Sequence, residues 1–258
     1  MSFLIYLVIA ALLVYFLRNK KTTVVDQLPL IPENFSTLLN EHIDYYQKLD
    51  DDKKVLFEDL AIGFLENTRI EGVGIALNDL DKVFVAASAV IPVFGFPGWR
   101  YKNLTNVILY PNTFDHDFQF EGGERRILGM VGSGYMNGQM ILSRAALERG
   151  FSKNNGKENT AIHEFVHLLD KADGSTDGIP EILMQHQPTI PWLKMIHEEM
   201  RNIQNGKSDI NPYALTNEAE FLAVAAEYFF EKPDEFEKKH PELYDLMSQM
   251  FLQDPASE

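Results

Sequence analysis

His163-Glu164-Phe165-Val166-His167 sets two imidazoles four residues apart, with a carboxylate beside the first. On a helix, positions four apart lie one turn above each other on one face, so both rings can reach a single ion at about 2.0–2.1 Å. Glu164 then projects beside them, within reach of a water on that ion without being a ligand, which is where a general base must stand. A chain of this composition would contain H-E-x-x-H by chance only about 0.015 times. With no Cys in the sequence, thiolate ligands and thiol nucleophiles are excluded, and any metal must rest on His and carboxylates. The ion this pattern predicts is Zn2+.

A catalytic zinc takes three protein ligands and keeps one position open, so a third ligand is required. The longer pattern H-E-x-x-H-x-x-G-x-x-H does not supply it, because Asp170 and Asp173 occupy its Gly and final His positions. A downstream helix predicted over Asn217–Glu231 offers Glu218, Glu220, Glu227 and Glu231. Glu220 and Glu227 are seven apart and share a face with Ala223 and Val224, small residues that permit a close helix approach. Spacing leaves three alternatives open: Glu220 as ligand, Glu227 as ligand, or Glu220 turned back on Asn217 in a capping box. Asp170, three residues after His167, and Glu227 are the candidates for orienting an imidazole from behind.

These side chains need elements to position them. Ile162, Phe165, Val166 and Leu169 make an apolar stripe along a helix predicted over Asn159–Lys171. Upstream, a helical hairpin is expected from Ser36–Leu49, behind a Ser cap, and Asp52–Asn67. A short strand follows at Glu71–Ala76, then an apolar helix at Asp79–Phe94 that must stop near Pro92, and a strand at Asn106–Tyr110. Phe114-Asp115-His116-Asp117 reads as a solvated loop. Ile127–Tyr135 and Gln139–Leu142, separated by Met136-Asn137-Gly138, predict a tight hairpin whose edge is a candidate for pairing with an extended peptide. Helices are expected at Pro191–Ile203 and Pro233–Phe251. The order predicts an α+β domain with a small antiparallel sheet and a mostly helical second half.

The segments His163–Asp170 and Tyr213-Ala214-Leu215-Thr216-Asn217-Glu218-Ala219-Glu220-Phe221, with Glu227-Tyr228-Phe229-Phe230, resemble the Mlc titration factor A family of zinc metallopeptidases. They are also locally similar to the peptidase domain of anthrax lethal factor. The likeness to the titration factor family extends over residues 36–255. It implies a zincin-like peptidase fold, with the Glu of the Ala-Glu-Phe triplet, Glu220, as third zinc ligand and Tyr213 as stabiliser of the oxyanion. It further implies a peptide or protein substrate, aminopeptidase-like activity, and, as an alternative, a regulatory protein that sequesters a transcriptional regulator while its zinc is structural.

The N-terminus reads as an address. Phe3–Leu17 is an uninterrupted apolar run followed by Arg18, Lys20 and Lys21. As a helix it reaches about 22 Å against a hydrocarbon core of roughly 30 Å. The charges follow the run, and no small-residue cleavage site is present, which favours an uncleaved anchor over a signal peptide. The basic flank predicts a single pass through the inner (cytoplasmic) membrane with the catalytic domain in the cytoplasm; a wholly cytoplasmic protein is the alternative. The organisation expected is an apolar anchor helix at residues 1–21, a linker at 22–35 and the peptidase domain at 36–255. A formal charge of -15 makes the chain a poor partner for nucleic acid.

Overall fold

The computed structural model describes residues 30–115, 119, 126–132, 137–153, 155–181, 183–184 and 189–257. The expected anchor, all but the last residues of the linker, and His116 with Asp117 lie outside them. Among the described residues no helix is long and apolar enough to cross a membrane.

The N-terminal helices are α1 (Phe35–His42), α2 (Asp44–Lys48) and α3 (Asp51–Asn67). The single helix expected over Ser36–Leu49 is broken at Ile43, whose backbone is extended (φ -115, ψ 98) and whose side chain is buried. Nor does Ser36 cap it: the hydroxyl donates instead to Glu58 of α3 at 2.6 Å. Asp50 caps α3 by accepting the Lys53 amide at 2.8 Å. Strand β1 (Arg69–Gly72) forms slightly before the expected stretch. The apolar helix α4 (Asp79–Val90) opens on a capping box between Asn78 and Asp81 and tightens into a 3-10 turn, Ile91–Val93, at Pro92. Proline lacks the amide that would continue the α-helical ladder.

Strands β2 (Asn106–Tyr110), β3 (Gly129–Val131) and β4 (Gln139–Ser143) complete a sheet in the order β1-β2-β4-β3. This sheet is mixed, which corrects the antiparallel expectation. β1–β2 and β2–β4 are parallel, and only β3–β4 is antiparallel. Val107 and Leu109 of β2 and Met140, Ile141 and Leu142 of β4 are buried, the near-continuous apolar character of strands covered on both sides. The β3–β4 connection is also wider than a two-residue turn. Val131 is opposite Met140, Gly132 donates to the Gln139 carbonyl at 2.8 Å, and residues 133–136 lie outside the described set. Gly138, at φ 89, offers its carbonyl to the Thr105 amide at 2.8 Å, so the Asn-Gly pair docks β4 beside β2.

A short helix absent from the sequence reading, α5 (Arg144–Gly150), follows β4 directly behind a Ser143 cap. Then come α6 (Thr160–Asp170), α7 (Thr189–Gln204), α8 (Glu218–Glu231), α9 (Pro233–Lys239) and α10 (Pro241–Phe251). The helix expected over Pro233–Phe251 is two, because Pro241 cannot extend a helix from Lys239 and His240 takes φ -133, ψ 55 between them. The core is aromatic: Phe57, Phe165, Trp192, Phe221, Phe229 and Phe251 are all fully buried. Ala223, Ala225 and Ala226 of α8 are likewise inaccessible, so α8 packs closely on α6, the pair that matters for the site.

Candidate metal centre

α6 is fixed on one side by the buried stripe of Ile162, Phe165, Val166 and Leu169, which leaves His163 and His167 facing the first turn of α8. Asn217 caps α8 alone, its side-chain oxygen accepting the Glu220 amide at 2.9 Å. The Glu220 carboxylate is turned away from that cap. Its Oε2 lies 2.9 Å from His163 Nε2 and 3.4 Å from His167 Nε2, and the two Nε2 atoms are 3.0 Å apart. Among the described residues His163, His167 and Glu220 are the group of metal-ligating side chains that converges, with ligand atoms within 4.8 Å of one another.

Glu227, two turns further along α8, stands behind the rings. Its Oε1 is 2.7 Å from His163 Nδ1, and its other oxygen accepts the backbone amide of Asn159. Such a contact puts the proton on Nδ1 and leaves the Nε2 lone pair facing Glu220 and His167. Two imidazole nitrogens and a carboxylate aimed at one point fit a divalent cation of the zinc type. The electrostatics agree. Burial alone would lower the pKa of His163, but its hydrogen bonds to Glu220 and Glu227 outweigh that and push it up to about 10. Burial raises Glu220, yet its hydrogen bonds to His163 and His167 pull it down to about 2. A site that stabilises a proton this firmly stabilises a metal cation in its place.

Glu164 is buried beside the rings, and burial raises its pKa more than His163 and His167 lower it, so its carboxylate is more basic than an ordinary glutamate. Tyr213 sits in the 3-10 turn Pro212–Leu215, its ring centroid 6.1 Å from that of His163. Burial and the charges of Glu220 and Glu164 raise its pKa, which keeps the phenol a hydrogen-bond donor at neutral pH. The residue is 54% exposed and lines the groove, available to a ligand there. Asn211 sets this turn by accepting the Tyr213 amide at 3.0 Å and donating to Glu158 at 2.7 Å, just ahead of α6. The groove itself encloses about 370 Å³ and is bordered by β3, an edge strand of the sheet.

Asp170 has a different place from the one expected. It is fully buried, but its Oδ2 accepts the Gly178 amide at 2.9 Å and neither imidazole donates to it. The reason is geometric: an oxygen three residues past His167 points along the end of α6 toward the loop that follows. That loop matters, because Gly178, at φ 76, presses its backbone onto the start of α8 at Glu218 and Ala219, and Trp192 Nε1 donates to its carbonyl at 2.7 Å. Three further residues, Asn159, Gly129 and Gly178, support the site without having been singled out in the sequence. Of these only Asn159, as a cap residue before an apolar stripe, carried a signal that could have found it.

The sequence model of the family described as glucose-regulated metallo-peptidase M90 matches residues 16–252. The chain belongs to the M90 family. Among its relatives are an uncharacterized protein of Synechocystis, 26% identical over 240 residues that cover 89% of this chain and 86% of that one. Mlc titration factor A of Salmonella arizonae is 28% identical over 214 residues, 76% of this chain and 82% of the relative. Mlc titration factor A of Salmonella gallinarum is 29% identical over 211 residues, 76% and 78%. M90 membership implies a metallopeptidase and hence a bound metal ion, for which His163, His167 and Glu220 are the candidate holders.

Proposed function

We propose that this M90 protein is a zinc-dependent peptidase that hydrolyses peptide bonds, with aminopeptidase-like activity on small substrates. The observation that carries the reading is the convergence of His163 Nε2, His167 Nε2 and Glu220 Oε2 beside a buried, basic Glu164. When bound, zinc supplies Lewis acidity that polarises a water and the substrate carbonyl. Glu164 takes the water's proton and returns it to the departing amine. Tyr213 donates its hydroxyl hydrogen to the oxygen on which negative charge develops. The outer edge of β3, unpaired among the described strands, supplies backbone donors and acceptors on which an extended peptide adds as a further strand beside the reacting centre. Glu227 holds the Nδ1 proton of His163 and so keeps Nε2 available as a ligand.

The relatives' name favours a second reading, in which the chain captures a transcriptional regulator and zinc is structural. In either case the run Phe3–Leu17 and its basic flank support a membrane tether, testable by fractionating cells that express the chain with and without residues 1–21. Zinc content and hydrolysis of peptides and amino-acid anilides, compared between the wild type and Glu164→Gln, separate the two activities. The peptidase reading expects turnover to fall at least about 10²-fold with zinc retained. Equal turnover in both proteins, or none in a zinc-loaded wild type, rejects it.

A further inference from the structure

Lys171 is a groove residue that the hydrolytic scheme leaves unused. It follows α6 directly, opening the 3-10 turn Lys171–Asp173, and is spaced from His167 as His167 is from His163. The two rings and the ammonium therefore leave successive turns of one face. Its Nζ donates to the carbonyl of Gly132 at 3.1 Å, the residue that follows β3. An ammonium has three N–H donors, so this bond leaves others for a ligand. No carboxylate among the described residues pairs with Lys171, although the chain as a whole carries a net charge of -15. Among the described residues that line the groove it is the one Lys or Arg.

A half-buried cation with no carboxylate partner among the described residues, in a groove bordered by a strand that pairs on one side only among the described strands, matches an anion brought in by the ligand. Its position fixes where that anion lies. Gly129 abuts Glu164, and Gly132 is three residues further on. At roughly 3.3 Å per residue, Lys171 is about 10 Å along the strand from the base, a span of three residues of an extended peptide.

We infer that Lys171 is a specificity residue that binds a carboxylate of the substrate peptide, an acidic side chain or the C-terminal carboxylate, at the end of the groove beyond His167. This rests on the peptidase reading, but binding tests it apart from turnover. Fluorescent peptides are titrated into zinc-loaded Glu164→Gln protein, with and without Lys171→Gln, and followed by anisotropy. One pair of peptides differs as Glu against Gln within the chain, another as free C-terminal acid against amide, and the pair that responds identifies the source of the carboxylate. The expected result is about tenfold tighter binding of one acidic member, a ratio that falls to about one in Lys171→Gln, survives Lys171→Arg and shrinks at high salt.

A ratio near one before substitution, no binding of any peptide, or equal weakening of acidic and neutral peptides by Lys171→Gln would overturn the inference. The last result would make Lys171 a strap for β3 only. Charge-selective binding that depends on Lys171, with no hydrolysis by the zinc-loaded wild type, would instead leave this inference standing and remove the peptidase reading.

Discussion

Gly129 of β3 stands against Glu164 of α6 so closely that a Cβ at residue 129 would lie 2.7 Å from Glu164 Cγ and 2.8 Å from its Oε1. The edge strand and the proposed base are thus packed as one unit, with the bare backbone of β3 forming the wall behind the carboxylate. Gly129→Ala must push the strand outward or swing Glu164 aside, and neither motion touches His163, His167 or Glu220. Displacement by about an ångström at a reacting group costs on the order of 10²-fold in rate. The expected outcome is a loss of that size in kcat/KM with zinc stoichiometry unchanged. Loss of zinc together with activity would show that β3 supports the whole centre.

Behind the rings, Glu227 joins His163 to the start of α6. One oxygen takes the Nδ1 proton and the other the Asn159 amide, while Asn159 also caps the helix through Ile162 and donates to Glu231 at 2.8 Å. Glu227→Gln replaces an anion by an amide on an imidazole ligand, and such changes weaken metal binding about 10–100-fold. Asn159→Ala removes a cap worth roughly 1 kcal/mol but keeps the backbone amide that Glu227 accepts, so it loosens the start of α6 without removing the partner of His163. Competition with a chelator should therefore rank zinc affinity as wild type, then Asn159→Ala, then Glu227→Gln. An affinity of Glu227→Gln equal to that of the wild type would remove Glu227 from the site.

The candidate centre was legible in the sequence because its geometry is local: a four-residue spacing on one amphipathic helix brings His163, Glu164 and His167 together. Glu220 was harder, since its spacing from Asn217 served a cap as well as a ligand. That its carboxylate meets the two rings depends on how closely α8 approaches α6 through Ala223 and its neighbours, a tertiary fact. The same limit explains the sheet. Asn106–Tyr110 is recoverable as a strand from its β-branched and apolar run, but whether it pairs parallel or antiparallel depends on α4 crossing over from β1, which no local pattern records. Gly129 and Gly178 look like any other glycines until their neighbours are in place. The division of the last helix at Pro241, by contrast, follows from proline chemistry alone, and the single helix expected over Pro233–Phe251 overlooked that local signal.

Asp170 and Gly178 together set the start of the helix that carries Glu220. Asp170 is fully buried; burial raises its pKa, to about 6, against the Gly178 hydrogen bond, which lowers it. Gly178→Ala forces a side chain into a left-handed backbone (φ 76) and onto the Glu218 backbone, with strain of about 1–3 kcal/mol. Relief of the contact separates the loop from the first turn of α8, which carries Glu220, and leaves that turn without its support. The expected signs are a lower melting temperature and weaker zinc binding, whereas a mutation in a loop unconnected to the centre would change the first alone.

The segment bearing Tyr213 is tied to the entry of α6 by a charge cluster around Asp209, and this cluster predicts a pH dependence. Asp209 accepts from Lys157, from Lys239 at 2.7 Å, from His240 Nε2 at 2.7 Å and from the Tyr228 hydroxyl at 3.1 Å, while Glu199 faces His240 Nδ1 at 3.4 Å. Burial pushes Asp209 up, but Lys157, Lys239 and His240 hold it well below the usual carboxylate range. Burial pulls His240 down, but Glu199 and Asp209 raise it above the ordinary imidazole value. A raised histidine contributes stability that is complete below its unfolded pKa, about 6.5, and is lost as pH climbs through its folded value. A depressed aspartate contributes above about 3.9 and loses that contribution as pH falls through its folded value. Both contributions are therefore complete only between about pH 4 and 6.5. His240→Gln should cost about 2 kcal/mol at pH 6, the worth of a charged hydrogen bond, and less at pH 9, because the wild type loses the same interaction as pH rises through the raised folded value. Urea unfolding of both proteins at the two pH values measures this directly, and an equal deficit at pH 6 and pH 9 would show that His240 acts there by packing rather than by charge.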